Sequence, residues 1–475
     1  MARDCWKPAR LGDLVSIKHG WPFKSELFSD DLTGRPIVVA VGNFQYTGGF
    51  RFDTTGVKEY CGEYPRDYEL AADDILLVMT CQTSGGEILG IPARVPGDGR
   101  VYLHNQRLGK VVLKRPDLAD PKFLYWTFLS KPFNFELCAS ATGTKIVHTA
   151  PTRIEAYQFD LPPLPEQRAI AAVLGALDDK IEVNRKMARV LEEIARAVFT
   201  SWFVDFDPVH YNIQRRDEEQ AYQRMGRAAR FGSFGEDISV IDKDGRSRSL
   251  RPEDIHRHIA HLFPDHLVDS PLGEVPEGWR VGTLGDVVNQ RVERVDPSAT
   301  TAAMPYLPIE CISAKCLLLS DKRPGKEAQS SLTRFYVDDI LVGAMRPYFH
   351  KVCIAPFDGT TRTTAFVLKP HTQSDWAYAV LLLHREETIE FATRHSTGST
   401  IPYARWDSLR SMPIVIPSEN LRAAFQERCS MILRRIAGMH ATNATLAALR
   451  DTLLPKLISG ELRIADAERI VGRAV

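Results

Sequence analysis

The sequence predicts an α+β fold in which two mixed α/β domains are joined by two long helices that pair as an antiparallel coiled coil. The whole chain carries a pseudo-two-fold internal repeat. Three observations predict this. Short motifs recur in the same order in both halves. Each half opens with a β-rich region of variable length and closes with a segment of fixed length. The fixed segments carry apolar residues at alternating spacings of four and three, in a matched register.

The repeat comes first because it sets the organisation. Leu11-Gly12-Asp13 recurs as Leu284-Gly285-Asp286, 273 residues on. Asp73-Asp74-Ile75-Leu76 recurs as Asp338-Asp339-Ile340-Leu341, 265 residues on. Thr142-Gly143 recurs as Thr397-Gly398, and Leu161-Pro162 as Ile416-Pro417, both 255 residues on. The offset drifts and then locks. A region free to change length reads as loop-rich and functionally diverged, and a region of fixed length as a mechanical element. The predicted organisation is a first globular domain over 1–160, a helix over 161–209, a connector over 210–270, a second globular domain over 271–415, a helix over 416–462 and a tail over 463–475.

Within the globular domains, residues 37–41, 75–79, 101–103 and 111–113 are short β-rich runs bounded by Gly, Pro and Asp. Residues 340–342, 352–354 and 366–368 play the same part in the second domain. A single helix is predicted in each, near 121–129 and 374–394.

Each long helix begins at a proline-bounded start, LPPLPEQRAIAAVLG at 161–175 and IPSENLRAAFQERC at 416–429. Proline suits a first helical turn, and a nearby Glu suits the helix dipole. From there the first seam runs through Ile170, Leu174, Leu177, Ile181, Asn184, Ala188, Leu191, Ala195, Val198 and Trp202. At an offset of 255 the second runs through Phe425, Cys429, Ile432, Ile436, Met439, Asn443, Leu446, Arg450, Leu453 and Leu457. Charged residues such as Asp178, Lys180, Glu182, Arg185 and Lys186 fill the outer faces. Helices of ~35 residues would span roughly 50 Å, too long to bury such a stripe alone, so the two are predicted mates. The seam asparagines Asn184 and Asn443 either fix the register or reach out to the solvated rim.

Composition excludes several classes. The 475 residues exceed one compact core. The apolar runs fall short of a membrane span, and MARDCWKPARLGD lacks a secretory h-region, so a cytoplasmic protein is expected. Eight scattered cysteines without CxxC read as reduced, small buried thiols. The connector's His256, His258, His261 and His266 read as a solvated helix face before a metal cluster, and no metal is expected. Asp73-Asp74 and Asp338-Asp339 precede apolar strands and read as turns rather than paired metal ligands. Lys plus Arg total 60, as do Asp plus Glu, giving a formal net charge of zero. That balance counts against a free nucleic-acid binder unless basic residues cluster or a partner supplies phosphate contacts.

The order of motifs resembles the specificity subunit of type I restriction–modification systems. The matching pieces are LPPLPEQRAIAAVLGALDDKI (161–181), FTSWFVDFDPV (199–209), LFPDHLVDSPLGEVPEGW (262–279), RPYFHKV (346–352) and LLPKLISGEL (453–462). The resemblance implies that each globular region is a target-recognition domain reading half of a bipartite site in the major groove of double-stranded DNA. It implies that the helices set the spacing and dock two modification subunits. Those subunits hold S-adenosylmethionine and methylate adenine, while this chain binds no cofactor and is no enzyme. A restriction subunit, an endonuclease and translocase, can join. The connector at 210–262 is longer than the pattern, with Arg215, Arg216, Arg224, Arg227 and Arg230 within it.

Base edges are read by Arg, Lys, Asn and Gln, helped by Ser and Thr. In the first domain two loops are rich in these types: Thr80, Gln82, Thr83 and Ser84, and His104, Asn105, Gln106 and Arg107. Lys145 and His148 in the Gly-Thr-Lys loop are candidate phosphate ligands. In the second domain the counterparts are Arg346, Tyr348, His350 and Lys351, then Thr361, Arg362 and Thr363 in the place of Asn105–Arg107, then Ser396, Thr397, Ser399 and Tyr403. Each of these is otherwise an ordinary surface polar residue. Two rival functions stay open. A stand-alone DNA-modifying enzyme is disfavoured because Walker A, GxGxxG, HExxH and the adenine-methyltransferase signature are missing. A non-DNA coiled-coil scaffold suits the zero net charge.

Overall fold

A computed structural model describes residues 5–50, 56–82, 85–143, 146–225, 238–241, 247–250, 258–319, 321–328, 330–398 and 400–473. The chain divides into two compact units, one formed by Met1–Ile181 with Leu446–Val475, the other by Glu182–Thr445.

In the first unit, Lys7–Arg10 pairs antiparallel with Gln158–Leu161 and closes the globular part. Between them lies an antiparallel four-stranded sheet in the order Val15–His19, Leu108–Leu113, Ile75–Val78, Pro92–Arg94. A five-stranded sheet runs in the order Phe28–Ser29, Glu59–Tyr60, Ile37–Val39, Tyr102–His104, Glu69–Leu70, with Ile37–Val39 and Tyr102–His104 parallel. The strand Ile75–Val78 explains its own unbroken apolar run. Alternate side chains point to opposite faces, and both faces are covered: Ile75 and Leu77 join one core, Leu76 and Val78 another.

The second unit repeats these parts. Arg280–Thr283 pairs with Pro413–Ile416. The four-stranded order is Val288–Gln290, Ala365–Pro370, Ile340–Gly343, Val352–Ile354. The five-stranded order is Arg294–Val295, Leu332–Phe335, Gly359–Arg362, Pro305–Tyr306, Arg323–Pro324, with Pro305–Tyr306 and Gly359–Arg362 parallel. Ile340 and Val342 face one core and Leu341 another, as in the first unit.

In each globular part a pair of helices stands where one was predicted. Pro121–Phe128 is followed by Lys131–Ser140, and Trp376–Leu383 by Glu386–Arg394. Each member of the second pair starts 255 residues after its counterpart. The break at 384–385 lacks the Gly or Pro that would have announced it. It is held by Thr388, whose hydroxyl donates to the Leu382 carbonyl at 2.7 Å, and by the extended backbone of Arg385.

The Asp-Asp pairs are turns. Asp73 and Asp338 adopt the same left-handed backbone, φ 66° and 68°. Their neighbours accept hydrogen bonds: Asp74 from the Ala71 amide and Lys110, Asp339 from the Tyr336 amide and both arms of Arg291.

The long helices are Leu164–Phe203 and Glu419–Ile458, 40 residues each. In the first unit Ile170, Leu174, Leu177 and Ile181 share a core with Leu446, Leu453 and Leu457. There Arg450, the charged seam position, is buried and bonds Asp178 Oδ1 at 2.6 Å. In the second unit Ala188, Ala195 and Trp202 share a core with Phe425, Cys429, Ile436 and Met439, with Leu191, Val198 and Ile432 packed against it. Asn184 Nδ2 donates to Asn443 Oδ1 at 2.8 Å, so the seam asparagines pair with each other rather than reach for the rim. The Trp202 and Phe425 rings meet at 5.6 Å. These two pairings fix an antiparallel direction within the unit.

The connector begins as a helix, Asp207–Met225. Asn212 on it donates to the Ala260 and Phe263 carbonyls, while Trp202 packs on Phe263 and Phe206 on Trp279. His256, Arg227 and Arg230 lie outside the described residues, and of Arg224 only the backbone is described. His258, His261 and His266 are exposed but on irregular chain around a 3-10 turn, which corrects the predicted helix face. Cys81, Cys311, Cys353 and Cys429 are buried and outside any disulfide, whereas Cys5 and Cys61 are exposed. Among the described residues no helix is long and apolar enough to cross a membrane, and no group of His, Cys, Asp or Glu forms a metal-binding set.

Candidate nucleic-acid interface

In the first unit the end of the strand Ile75–Val78 opens into a cleft of about 620 Å³. It is lined by His19, Met79, Thr80, Gln106, Arg107, Thr142, Ile146, His148, Thr149, Ala150 and Arg153, so among the described residues every charged side chain on its wall is basic. Three backbone connections build it. Met79 N donates to the Arg107 carbonyl at 3.0 Å, Thr149 N to the Met79 carbonyl at 2.9 Å, and Thr142 and His148 exchange bonds of 3.0 and 2.8 Å. The last pair closes the Gly-Thr-Lys loop. Gly143 there has φ +113°, and a Cβ would fall 2.0 Å from the Ile146 carbonyl oxygen, so only glycine fits.

The structure thus brings together Thr80, Gln106, Arg107 and His148, residues far apart in sequence. Thr80 Oγ1 and His148 Nδ1 share a hydrogen bond of 2.9 Å, which holds the ring in the cleft wall. Gln106 and Arg107 are exposed. Asn105 is half-buried, and its Oδ1 accepts from the Arg107 amide, so that atom shapes the turn. Gln82 is exposed, beside the cleft rather than in its wall. Thr83, Ser84 and Lys145 lie outside the described residues. His104 is corrected: it is buried, its Nε2 meets the Leu108 carbonyl at 2.9 Å, and burial lowers its pKa to about 4. A neutral, internally bonded ring holds the sheet and presents nothing to a base.

Sequence reasoning missed His19 and Arg153. Arg153 follows the Gly-Thr-Lys loop on the short helix Pro151–Glu155. Its Nη1 is buried without a hydrogen-bond partner among the described residues, an unmet donor at a cleft wall. The signal available was an arginine close behind a predicted phosphate loop.

The second unit repeats the frame with other side chains. Ala344 N donates to the Thr364 carbonyl at 2.8 Å, Ala404 N to the Ala344 carbonyl at 2.8 Å, and Thr397 and Tyr403 exchange bonds of 2.9 and 2.8 Å. Arg346, Thr363, Thr397 and Tyr403 are therefore neighbours: Met345 bridges Tyr403, whose hydroxyl donates to the Thr363 carbonyl. These bonds correct the alignment by one residue. Thr364, not Thr363, stands where Arg107 stands, and Thr361 matches His104. In a strand one residue reverses the face. Accordingly Thr361 is buried, donating to the Leu307 carbonyl at 2.7 Å, while Arg362 and Thr363 are exposed.

The loop Arg346–Lys351 has two non-glycine residues in the left-handed region, Arg346 at φ 50° and His350 at φ 51°. Such strain persists only where surroundings impose it, and it concentrates at binding sites. Tyr348 is exposed and leans on Phe349, ring centroids 4.8 Å apart. Arg346 is half-buried, its Nε unpartnered among the described residues. His350 is corrected: it is buried, bonding Glu386 Oε2 at 3.1 Å and the His384 carbonyl at 3.0 Å, so it braces the loop from behind. Lys351 Nζ donates to the Ile309 carbonyl at 2.8 Å. Ser396 donates to the Thr393 carbonyl, and Ser399 lies outside the described residues.

Comparison with known proteins identifies this frame. Residues 4–193 match the model of the type I restriction modification DNA specificity domain. The specificity subunit of the type I restriction enzyme HindI from Haemophilus influenzae is 23% identical over 415 residues, 79% of this chain and 86% of that protein. The MjaIX specificity subunit from Methanocaldococcus jannaschii is 23% identical over 372 residues, 76% and 73% of the two chains. Residues 4–193 thus carry a type I restriction modification DNA specificity domain, and most of the chain is similar to specificity subunits of type I restriction enzymes. Its fold is also that of the S subunit from M. genitalium, with a TM-score of 0.51 at 14% identity, covering 95% of this chain and 96% of that one. In this chain the frame is fixed twice over while the lining differs, polar Thr80 and His148 on one side, Met345 and Tyr403 on the other.

Proposed function

We propose that this chain is a specificity subunit that reads a bipartite site in double-stranded DNA, one half with each globular domain, and carries no catalysis of its own. One observation carries the reading: a backbone frame kept in duplicate, lined by different side chains. Two copies of one frame suit one shared polymer, and different linings suit two different sequences. The wholly basic charge of the first cleft suits phosphate and guanine, offsetting a net charge of zero.

Two modification subunits dock on the long helices. Val183, Met187, Val190 and Ile194 form a second apolar stripe on Leu164–Phe203, each 39–53% exposed. Their spacing of four, three and four continues one helix face, and such a stripe on a soluble helix suits a partner helix. The docked subunits hold S-adenosylmethionine and methylate adenine; a restriction subunit joins the same complex in the cytoplasm. Each 40-residue helix is about 60 Å long and serves as the spacer between half-sites.

The test is co-expression with adenine methyltransferase subunits of a type I system, followed by mapping of methylated adenine. The expected result is one bipartite motif with a single spacer length, absent without this chain. Methylation by the purified chain alone, or a partner-bound complex whose DNA affinity ignores salt, would contradict the reading.

A further inference from the structure

Behind the second reading loop lies a buried polar cluster that base reading does not use. Glu192, on the helix Leu164–Phe203, is 3% exposed, and its Oε2 accepts from the Leu317 amide at 2.8 Å. Its Oε1 lies 3.5 Å from Nε2 of His384, which is 1% exposed. The His384 ring packs on that of His350, centroids 4.7 Å apart, and the His384 carbonyl meets His350 Nε2 at 3.0 Å. The circuit closes through the segment 314–317. The Lys315 amide donates to the His350 carbonyl at 2.8 Å, and Ala314 bridges Lys351.

A carboxylate placed this deep costs several kcal/mol unless its partners offset it, and an apolar side chain would pack at that position without the cost. The residue 255 places on, Ala447, shows that the repeat does not demand an acid here. The acid stands in the half whose reading loop holds two left-handed non-glycine residues, Arg346 and His350. Burial raises the Glu192 pKa and lowers those of both histidines, which favours neutral rings in the cluster.

We infer that Glu192 is a positioning residue for the second domain: through Leu317, His384 and His350 it holds the loop Arg346–Lys351 in the strained shape that presents Arg346 and Tyr348. The inference rests on reading that loop as the one that meets DNA. A side chain on the spacer helix thereby sets the fidelity of one half-site.

Methylation mapping of the full complex tests it. Glu192→Leu keeps the packing and removes the Leu317 bond and the polar contact with His384. Methylation at sites with a wrong base in the second half should rise at least tenfold relative to the correct site, with first-half selectivity unchanged. Glu192→Gln, which keeps an acceptor for Leu317, should stay near wild type. A uniform loss at all sites, or unchanged selectivity in both halves, overturns the inference. If Glu192→Leu does not accumulate as folded protein, His384→Asn takes its place, with the same second-half relaxation expected and unchanged selectivity again overturning it. If the wild-type complex itself methylates no bipartite motif, the reading of the domains fails, an outcome distinct from a bipartite motif that survives Glu192→Leu intact.

Discussion

The two candidate interfaces differ in what supports them. The first is an open cleft whose lining is braced by short, local devices: a Thr80–His148 pair, a Gly143 turn and the Asn105 turn. The second is a strained loop braced from behind by His350, His384 and Glu192. The four backbone bonds that frame the first recur at the matching positions of the second. The difference teaches that duplication conserves the frame because sheet geometry depends on it, while the lining and its props vary together. A changed reading loop needs a changed brace.

The comparison can be broken at several points. The largest effect is expected in the helix seam. Phe425 packs on Phe199, Trp202 and Phe203 in the second unit, so Phe425→Ala should cost ~3–5 kcal/mol, measured by denaturant unfolding. Leu177→Ala, fully buried in the first unit, should cost ~2–5 kcal/mol. Next come the readers. Arg346→Ala should relax the second half-site alone by ~1–3 kcal/mol, and Arg107→Ala the first alone, read by methylation mapping. If either substitution relaxes both halves, the domains do not read independently.

The smallest effect is one of pH. Burial lowers the pKa of His104 in the first unit, to about 4, and of His350, His384 and His440 in the second. The unfolded chain then binds more protons than the folded one. Stability from these rings is complete above pH 6.5 and falls as pH drops towards 4. Each ring contributes at most ~1.4 kcal/mol per pH unit, and the second unit has three. Hydrogen exchange at pH 7 and pH 5.5 should show its protection falling more than that of the first unit. Glu192, its pKa raised by burial, acts in the opposite sense in the window above the ordinary carboxylate range.

Much of this was legible in the sequence. The seam was, because an apolar period and a fixed offset are one-dimensional signals, and every one of its positions is buried or half-buried. The loops that line the first cleft were, because polar residues after a buried strand must face outward or into a site. His104, His350 and Thr361 were misjudged because a polar residue beside a reading loop can equally turn inward and bond a carbonyl. The helix break at His384–Arg385 was hidden because a threonine hydroxyl four residues away, not a proline, terminates the turn. In the sequence Glu192 lies beside the seam position Leu191 and looks like one more outer-face charge. Only the packing of a distant segment, 314–317, makes it an interior residue.

The central claim is that paired helices set the distance between two readers. A seven-residue insertion in each helix, one heptad added in register so that the seam is preserved, lengthens both by ~10.5 Å, or about three base pairs at 3.4 Å each. Mapping methylated adenine in cells carrying this variant should return the same two half-sites with a spacer about three base pairs longer. The original spacer, kept unchanged in a folded and active variant, would contradict the account.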